Sequence, residues 1–397
     1  MRLEGMEIAV VGAGIAGLAA ATALAQRRAR VVVFEQAPAL VEAGAGLQVA
    51  PNGVAVLEAL GLRDAVERVA GLPEAVELID HRRGRIVARV PLGSAAVTRY
   101  GRPYWHLHRA DLLAALAVGA EEAAVTVATG ARVEAVAADG EGVRIRTSAG
   151  DAGRFDLAVA ADGVRSGLRA AHLDAAPARF TGRVAWRALV PAAAAPAEYL
   201  RPAARVTMGP GRHLVTYPLR GGALVNVVAV EERADWVGEG WSHPDDPARL
   251  RRAFAAWGGG PARLLASVET CFLWGLFDHA PLGRWTDGRL ALIGDACHPM
   301  LPFLAQGATM ALEDAWVLAD CLDLAADPGA GLVAYETARM ARTARVQRAA
   351  AAAGRVYHLG PGLRGPAQAA MALAAALAPG RLIGRFDWLY GRDVTTP

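Results

Sequence analysis

Lysine is absent from this chain: all 42 basic residues among its 397 are arginine. Schiff-base catalysis, a lysine-anchored pyridoxal phosphate and the lysine of a phosphate-cradling P-loop each need a primary amine, so all three are excluded. Cysteine is scarce. Cys271, Cys297 and Cys321 are odd in number and lack C-x-x-C spacing, which predicts reduced thiols in a cytoplasmic protein rather than a disulfide frame or a metal site. Excess charge is also small, since 42 basic against 39 acidic residues leaves +3, and the scattered arginines form no nucleic-acid footprint. Long uninterrupted apolar runs are few. Ile8 to Ala25 is uncharged, but Gly12, Gly14 and Gly17 break it into strand, turn and helix, and the run Met371 to Ala378 is far short of the roughly 20 residues a membrane span needs. A soluble chain with two or three compact units is expected.

What is present begins with a β-branched strand, Glu7 to Val11, followed by Gly12-Ala13-Gly14-Ile15-Ala16-Gly17 and an Ala/Leu-rich helix to about Arg28. A second strand, Ala29 to Phe34, ends at Glu35, 18 residues past the third glycine. This is the layout of a dinucleotide fingerprint. Gly12 permits the tight turn, Gly14 lets the backbone approach a pyrophosphate at the helix N-terminus, Gly17 allows close helix packing, and Glu35 accepts from a ribose hydroxyl. A plain glycine-rich turn would leave Glu35 unexplained.

Helices are predicted near Asn52–Leu60 and Arg109–Leu116, and a hairpin over Arg132–Ala137 and Val143–Thr147, turning at Asp139-Gly140. Phe155–Ala160 reads as one apolar strand running into Asp162-Gly163. From Phe180 to Phe277 the pattern turns antiparallel, with strands over Arg183–Val190, His213–Leu219 and Ala223–Glu231. Arg289–Ile293 is again a buried strand, ending at Gly294-Asp295, and Thr309–Leu322 is a helix. The expected fold is α/β: a Rossmann-like domain from 1–74, 102–178 and 284–350, an inserted, mainly antiparallel domain from 75–101 and 179–283, and a C-terminal helical segment over 351–397.

Three separated motifs then coincide: the glycine fingerprint, Asp162-Gly163 in the run Asp156 to Ser166, and Gly294-Asp295 leading to His298-Pro299. Together they resemble the single-component FAD-dependent aromatic hydroxylases, the group of salicylate, 3-hydroxybenzoate and 6-hydroxynicotinate monooxygenases. The resemblance extends to Gly44–Asn52, His108-Arg109 with Asp111, Leu301-Pro302 through Gln306-Gly307-Ala308 into Glu313-Asp314, and the C-terminal Asp387–Tyr390.

The resemblance implies FAD as cofactor, NADH or NADPH as reductant, and oxygen transfer through a C4a-hydroperoxyflavin to a small aromatic or heteroaromatic substrate, in particular a phenolic acid. Gly12, Gly14, Gly17 and Glu35 would hold the ADP part of FAD, with Ala13, Ile15, Ala16, Gln36, Gly46 and Gly294 as further contacts. Arg109 would reach the ribityl or pyrophosphate region, Asp295 would accept from ribityl hydroxyls, and Asp162 and Gly163 would serve both FAD and the nicotinamide cofactor. Gln306, Gly307 and Ala308 would open a helix whose positive N-terminus faces the flavin pyrimidine. Taken singly, Arg109 could be a surface residue at a helix start and Asp295 a strand-end turn.

Ring activation by such an enzyme means removing a phenolic proton. In His213-Leu-Val-Thr-Tyr217 the strand period of two puts His213, Val215 and Tyr217 on one face. Histidine titrates nearest neutrality, so His213 is the candidate base and Tyr217 the candidate donor or relay, a pairing that also resembles the 3-hydroxybenzoate and hydroxynicotinate enzymes. Gln306, Pro302, Gln48 and Trp186 are candidate pocket residues. His298, inside the third motif, reads as structural, and His279 stands where the family usually has arginine. Expected partners are the aromatic substrate and O2, with a homodimer as the assembly to test for. An FAD-dependent epoxidase or urate-type hydroxylase on the same scaffold, another flavin reductase, and a flavin-binding sensor without turnover stay open; the lack of a close cysteine pair argues against a disulfide reductase.

Overall fold

A computed structural model describes residues 3–40, 45–173, 175–235, 243–377 and 379–396. Gly44, which opens one of the quoted motifs, lies outside the described residues. The N-terminal strand Glu7–Val11 is central in a six-stranded sheet, pairing in parallel with Arg30–Phe34 on one side and Leu157–Ala160 on the other. Leu290–Leu292 continues the parallel set. These strands are nearly continuous runs of buried Val, Ile, Leu and Ala because helices cover both faces of the sheet. The helices Ile15–Gln26 and Gly307–Leu324 contribute their buried residues to the same core.

Phe155–Ala160 departs from the single strand expected. Gly150–Phe155 pairs antiparallel in a small three-stranded sheet with Gly142–Thr147 and Val133–Asp139, while Leu157–Ala160 enters the parallel sheet. Asp156 makes the break: its carboxylate accepts from the Glu7 backbone N–H at 2.8 Å, anchoring the crossover between the two sheets.

The second large sheet has eight strands in the order His243–Asp245, Cys271–Asp278, Arg179–Pro191, Leu224–Glu232, Arg212–Leu219, Ala203–Gly209, Ala75–Asp80 and Ile86–Pro91. It is antiparallel except where Ala203–Gly209 meets Ala75–Asp80. One face is sealed by the short helices Pro247–Ala253 and Gly259–Ala266, through a cluster including Trp186, Leu214, Phe254 and Trp257. The other carries Ala185, Val230, Trp274 and Leu276, which pack on Leu301, Phe303 and the end of the 30-residue helix Pro328–Tyr357. Side chains therefore alternate between a dry cluster and the side that faces the rest of the molecule.

Helices Gly307–Leu324 and Pro328–Tyr357 are joined by a buried charge cluster. Arg339 donates to Glu313 at 2.5 Å and to Asp314 at 2.8 Å, Arg342 donates to Glu313 at 2.7 Å, and Asn52 donates to Glu313 at 2.7 Å. Arg342 also holds the C-terminal turn Asp387–Tyr390 through the carbonyls of Trp388 and Leu389, each at 3.0 Å. Among the described residues no helix is long and apolar enough to cross a membrane.

Candidate active site

The glycine fingerprint sits where strand Glu7–Val11 hands over to its helix, and each glycine meets a different constraint. Gly12 has φ +102°, and a Cβ there would come within 2.5 Å of the Ala161 carbonyl. A Cβ on Gly17 would lie 1.8 Å from the Gly12 carbonyl, so the helix can approach the loop only because this position is bare. At Gly14 a Cβ would meet nothing within 4 Å, because the loop faces open space there. Gly14 caps the helix without a side-chain hydrogen bond, which leaves the first-turn N–H groups directed to that space. Glu35 ties the loop to the second strand: its carboxylate accepts from the Ala13 and Ala37 backbone N–H groups, each at 2.8 Å. Gln36 beside it is exposed.

From this loop a continuous cleft of about 310 Å³ runs between the parallel sheet and the antiparallel one. Gly14, Ile15, Ala16, Arg109, Gly163, Asp295, Gly307 and Ala308 line it on the side of the glycine loop, Pro302, Phe303, Arg187, His213, Val215, Tyr217 and Trp274 on the side of the antiparallel sheet, and Gly46 sits against Tyr217 where the two meet. Asp295 is half-buried at the cleft wall. Burial pushes its carboxyl pKa up, against the opposing pull of Arg109, His298 and Arg169. A Cβ on Gly307 would stand 4.0 Å from the Asp295 carboxylate, so the helix start and this acid flank the same space. Gly294 is locked by packing rather than exposed to the cleft: it has φ +58°, and a Cβ would come within 2.9 Å of Ala16 and 3.2 Å of Ala311. Asp314 fixes this turn by accepting from the Gly294 N–H at 2.9 Å and bonding His298 Nε2 at 2.5 Å, which gives His298 a structural position.

Two further groups are buried with unused hydrogen-bonding capacity. Asp162 accepts from Leu168 N–H through one oxygen while its Oδ1 has no partner, and both ends of the Gln306 amide lack one. Gln306 lies just before the helix start and is not among the cleft-lining residues. A cradle without side chains and a helix N-terminus along one cleft, with the unsatisfied Asp162 and Gln306 next in sequence to its lining residues, fit the phosphates and hydroxyls of FAD.

On the side of the antiparallel sheet, His213, Val215 and Tyr217 line the cleft while Leu214 packs into the dry cluster. Beside Tyr217, the Tyr104 hydroxyl donates to Gln48 Oε1 at 2.7 Å, which leaves the Gln48 amide N–H as the end that can donate. The Tyr217 hydroxyl lies close against Gly46, where a Cβ would be 2.7 Å away. Burial raises the Tyr217 pKa, so the group stays a phenol and a donor. His213 is buried as well, and burial, with His358 and Arg183 nearby, holds its pKa well below the ordinary value, so the ring is neutral. His279 lines the cleft with its pKa pushed down to about 4 by burial and by Arg169.

Trp186 is a correction. It points to the opposite face of its strand, buried among Phe254 and its neighbours, and its indole N–H donates to Asp245 at 2.8 Å. Its neighbour Arg187 faces the cleft instead, with the guanidinium 4.0 Å from the centroid of the Trp274 ring. Pro302 lines the cleft as expected of a pocket residue, and it opens a single 3-10 turn, Pro302–Leu304. Arg187 and His358 are site residues that sequence reasoning missed, and neither stands in a local motif.

The FAD binding domain family matches residues 5–351. The chain is 38% identical over 389 residues to a 3-amino-4-hydroxybenzoate 2-monooxygenase of Streptomyces platensis, covering 97% of this chain and 95% of the relative. It is 34% identical to a 3-hydroxybenzoate 6-hydroxylase of Polaromonas naphthalenivorans, covering 98% and 96%. Among solved structures, a salicylate hydroxylase in complex with substrate superposes with a TM-score of 0.82 at 27% identity, covering 99% of this chain and 97% of that one.

Proposed function

This chain belongs to the FAD binding domain family and is a group A flavoprotein aromatic hydroxylase, and on that premise we propose that it hydroxylates a small phenolic carboxylic acid with NADH or NADPH as reductant. The observation that carries the reading is the single cleft that joins the glycine loop to His213, Tyr217 and Arg187. Epoxidation, urate-type hydroxylation and a sensor role are not favoured, because the two sequence relatives described above, at 38% and 34% identity, are named for hydroxylation of benzoates.

Bound FAD would pass electrons from the nicotinamide cofactor to O2 and so activate it, O2 being the source of the oxygen atom that is transferred. The fingerprint glycines and the N–H groups after Gly14 would hold its pyrophosphate, Glu35 its adenosine ribose, and Arg109, Asp162 and Asp295 its ribityl and phosphate oxygens. Gly307 and Ala308 would present backbone N–H groups to the ring, where the helix dipole favours negative charge. On the side of the antiparallel sheet, neutral His213 accepts the phenolic proton, which raises electron density at the ring carbons ortho and para to the oxygen. Tyr217, which burial keeps as a phenol, donates its hydroxyl proton to substrate. Apolar Val215, Phe303 and Trp274 keep water from the reacting ring.

In a chain without lysine, a permanent side-chain cation for the carboxylate of an acid is an arginine, and Arg187 is the arginine beside Tyr217 and Trp274 in this cleft. Replacing it by glutamine should raise KM for phenolic acids by about 10- to 100-fold, the equivalent of one charged hydrogen bond of about 1.5–3 kcal/mol. Neutral phenols should be affected little. Equal losses for both ligand classes would remove Arg187 as the carboxylate partner.

The function itself is tested by following NADH and NADPH oxidation with 3-amino-4-hydroxybenzoate, 3-hydroxybenzoate, 6-hydroxynicotinate and salicylate. Stimulated oxidation matched by a hydroxylated product is expected for at least one. If no phenolic acid stimulates oxidation, the proposed substrate class is wrong.

A further inference from the structure

His213 does not stand alone in the sheet. Its Nδ1 lies 2.6 Å from Nε2 of His358, and Nδ1 of His358 lies 2.9 Å from the Glu232 carboxylate. The three residues come from strand Arg212–Leu219, the C-terminal cap of helix Pro328–Tyr357 and the last residue of strand Leu224–Glu232. Resting on the base role proposed for His213, we infer that His358 and Glu232 form a proton conduit between the cleft and solvent.

Hydrogen-bond polarity gives the chain a direction. An ionised carboxylate can only accept, so His358 donates through Nδ1–H to Glu232, and in the neutral ring its Nε2 is then the lone-pair atom. That nitrogen accepts from His213 Nδ1–H. His213 is left with its lone pair on Nε2, in a ring that lines the cleft. A remote carboxylate thus selects the tautomer a base requires. Glu232 stays ionised: burial opposes this, but hydrogen bonds from His358 and from Arg183, the latter at 3.1 Å, hold its carboxyl below the ordinary value.

Burial grades along the chain as a conduit requires. His213 is 1% exposed, the His358 side chain 2%, and the Glu232 side chain 47%. Phe303 and Tyr357 flank the His213 ring at 5.2 and 5.3 Å between centroids, which leaves His358 as the polar neighbour of Nδ1 among the described residues. The other charged groups bearing on the pair are Arg183, near both imidazoles, and Arg212, near His358. Both disfavour an imidazolium. Burial, with these arginines opposed by Glu232, brings the His358 pKa to about 4. A proton taken from substrate is therefore passed on rather than stored.

The transfer balances without an oxidant or reductant. The substrate O–H bond breaks as His213 Nε2–H forms, His213 Nδ1–H breaks as His358 Nε2–H forms, and His358 Nδ1–H breaks as a Glu232 O–H forms and is lost to water. Reprotonation of the product phenolate runs the same steps backwards and restores both tautomers.

The test uses the FAD-loaded protein and 4-hydroxy-3-nitrobenzoate, whose phenol and phenolate differ in absorbance, mixed at a pH below the free phenol pKa. The rate of phenolate formation on binding is read by stopped flow. His358→Gln keeps an acceptor for His213 but cannot relay, and Glu232→Gln removes the exposed terminus. Each should slow deprotonation by about tenfold or more, within the range of proton-transfer catalysis, while FAD content and Kd stay near the unmodified values. Normal rates in both variants, with deprotonation lost in His213→Ala, would overturn the conduit and leave the base role intact. Normal deprotonation in His213→Ala would overturn the base role and the conduit together.

Discussion

His213→Ala is expected to lower hydroxylated product by about 10²-fold or more, the usual contribution of a positioned general base, while the protein keeps its FAD. The two readouts separate because His213 lines the cleft from the antiparallel sheet and not from the glycine loop. Substrate binding should change less than turnover, since the ring is neutral and makes no ion pair with an acid. Raising pH should recover part of the lost rate, because a substrate that ionises in solution needs no base. An alanine variant with full FAD content and near-normal product at neutral pH would show that the phenol loses its proton elsewhere. Tyr217→Phe provides the comparison: it removes the donor but leaves the base, and should cost less than the histidine.

The second large effect concerns stability. Arg339→Met is expected to destabilise the protein by about 3–5 kcal/mol, as for other buried ion pairs that lose one partner. The side chain is 1% exposed and lies between Glu313 and Asp314, both 0% exposed. Without Arg339, Asp314 keeps only His298 and the Gly294 N–H, and Glu313 keeps Arg342 and Asn52. Asp314 is also the residue that fixes the turn bearing Asp295, so FAD retention should fall with the melting temperature. A drop on the order of 5–10 °C is expected by thermal melting. Combining Arg339→Met with Asp314→Asn should recover part of it, because one uncompensated charge is then gone. An unchanged melting temperature and FAD content would mean that the cluster contributes nothing net.

Much of this molecule is legible residue by residue. The glycine fingerprint and the acid at Glu35 are local, because a tight turn, a bare backbone and a ribose acceptor must follow one another along the chain. The equal parity of His213, Val215 and Tyr217 is local too, since a strand alternates its faces whatever surrounds it. Trp186 shows where that logic stops. Alternation says that Trp186 and Arg187 point in opposite directions, but which one meets the cleft depends on the helices Pro247–Ala253 and Gly259–Ala266 sealing one face. Those helices follow the strand by some 60 residues.

Long-range partners were out of reach for the same reason. His358 ends a helix 145 residues beyond His213, and Arg339 lies 25 residues past Asp314 on a different helix, with no spacing rule connecting either pair. The sequence by itself determined the dinucleotide fingerprint, the arginine-only cation chemistry and the parity of the strand bearing His213 and Tyr217, because each is set by neighbouring residues or by composition. The tertiary structure alone decided that Arg187 rather than Trp186 faces the cleft, that His213 meets His358, and that Asp314 is held by Arg339. Those outcomes depend on which buried surfaces and hydrogen-bond partners meet when distant segments pack, and a chain read in order does not contain them.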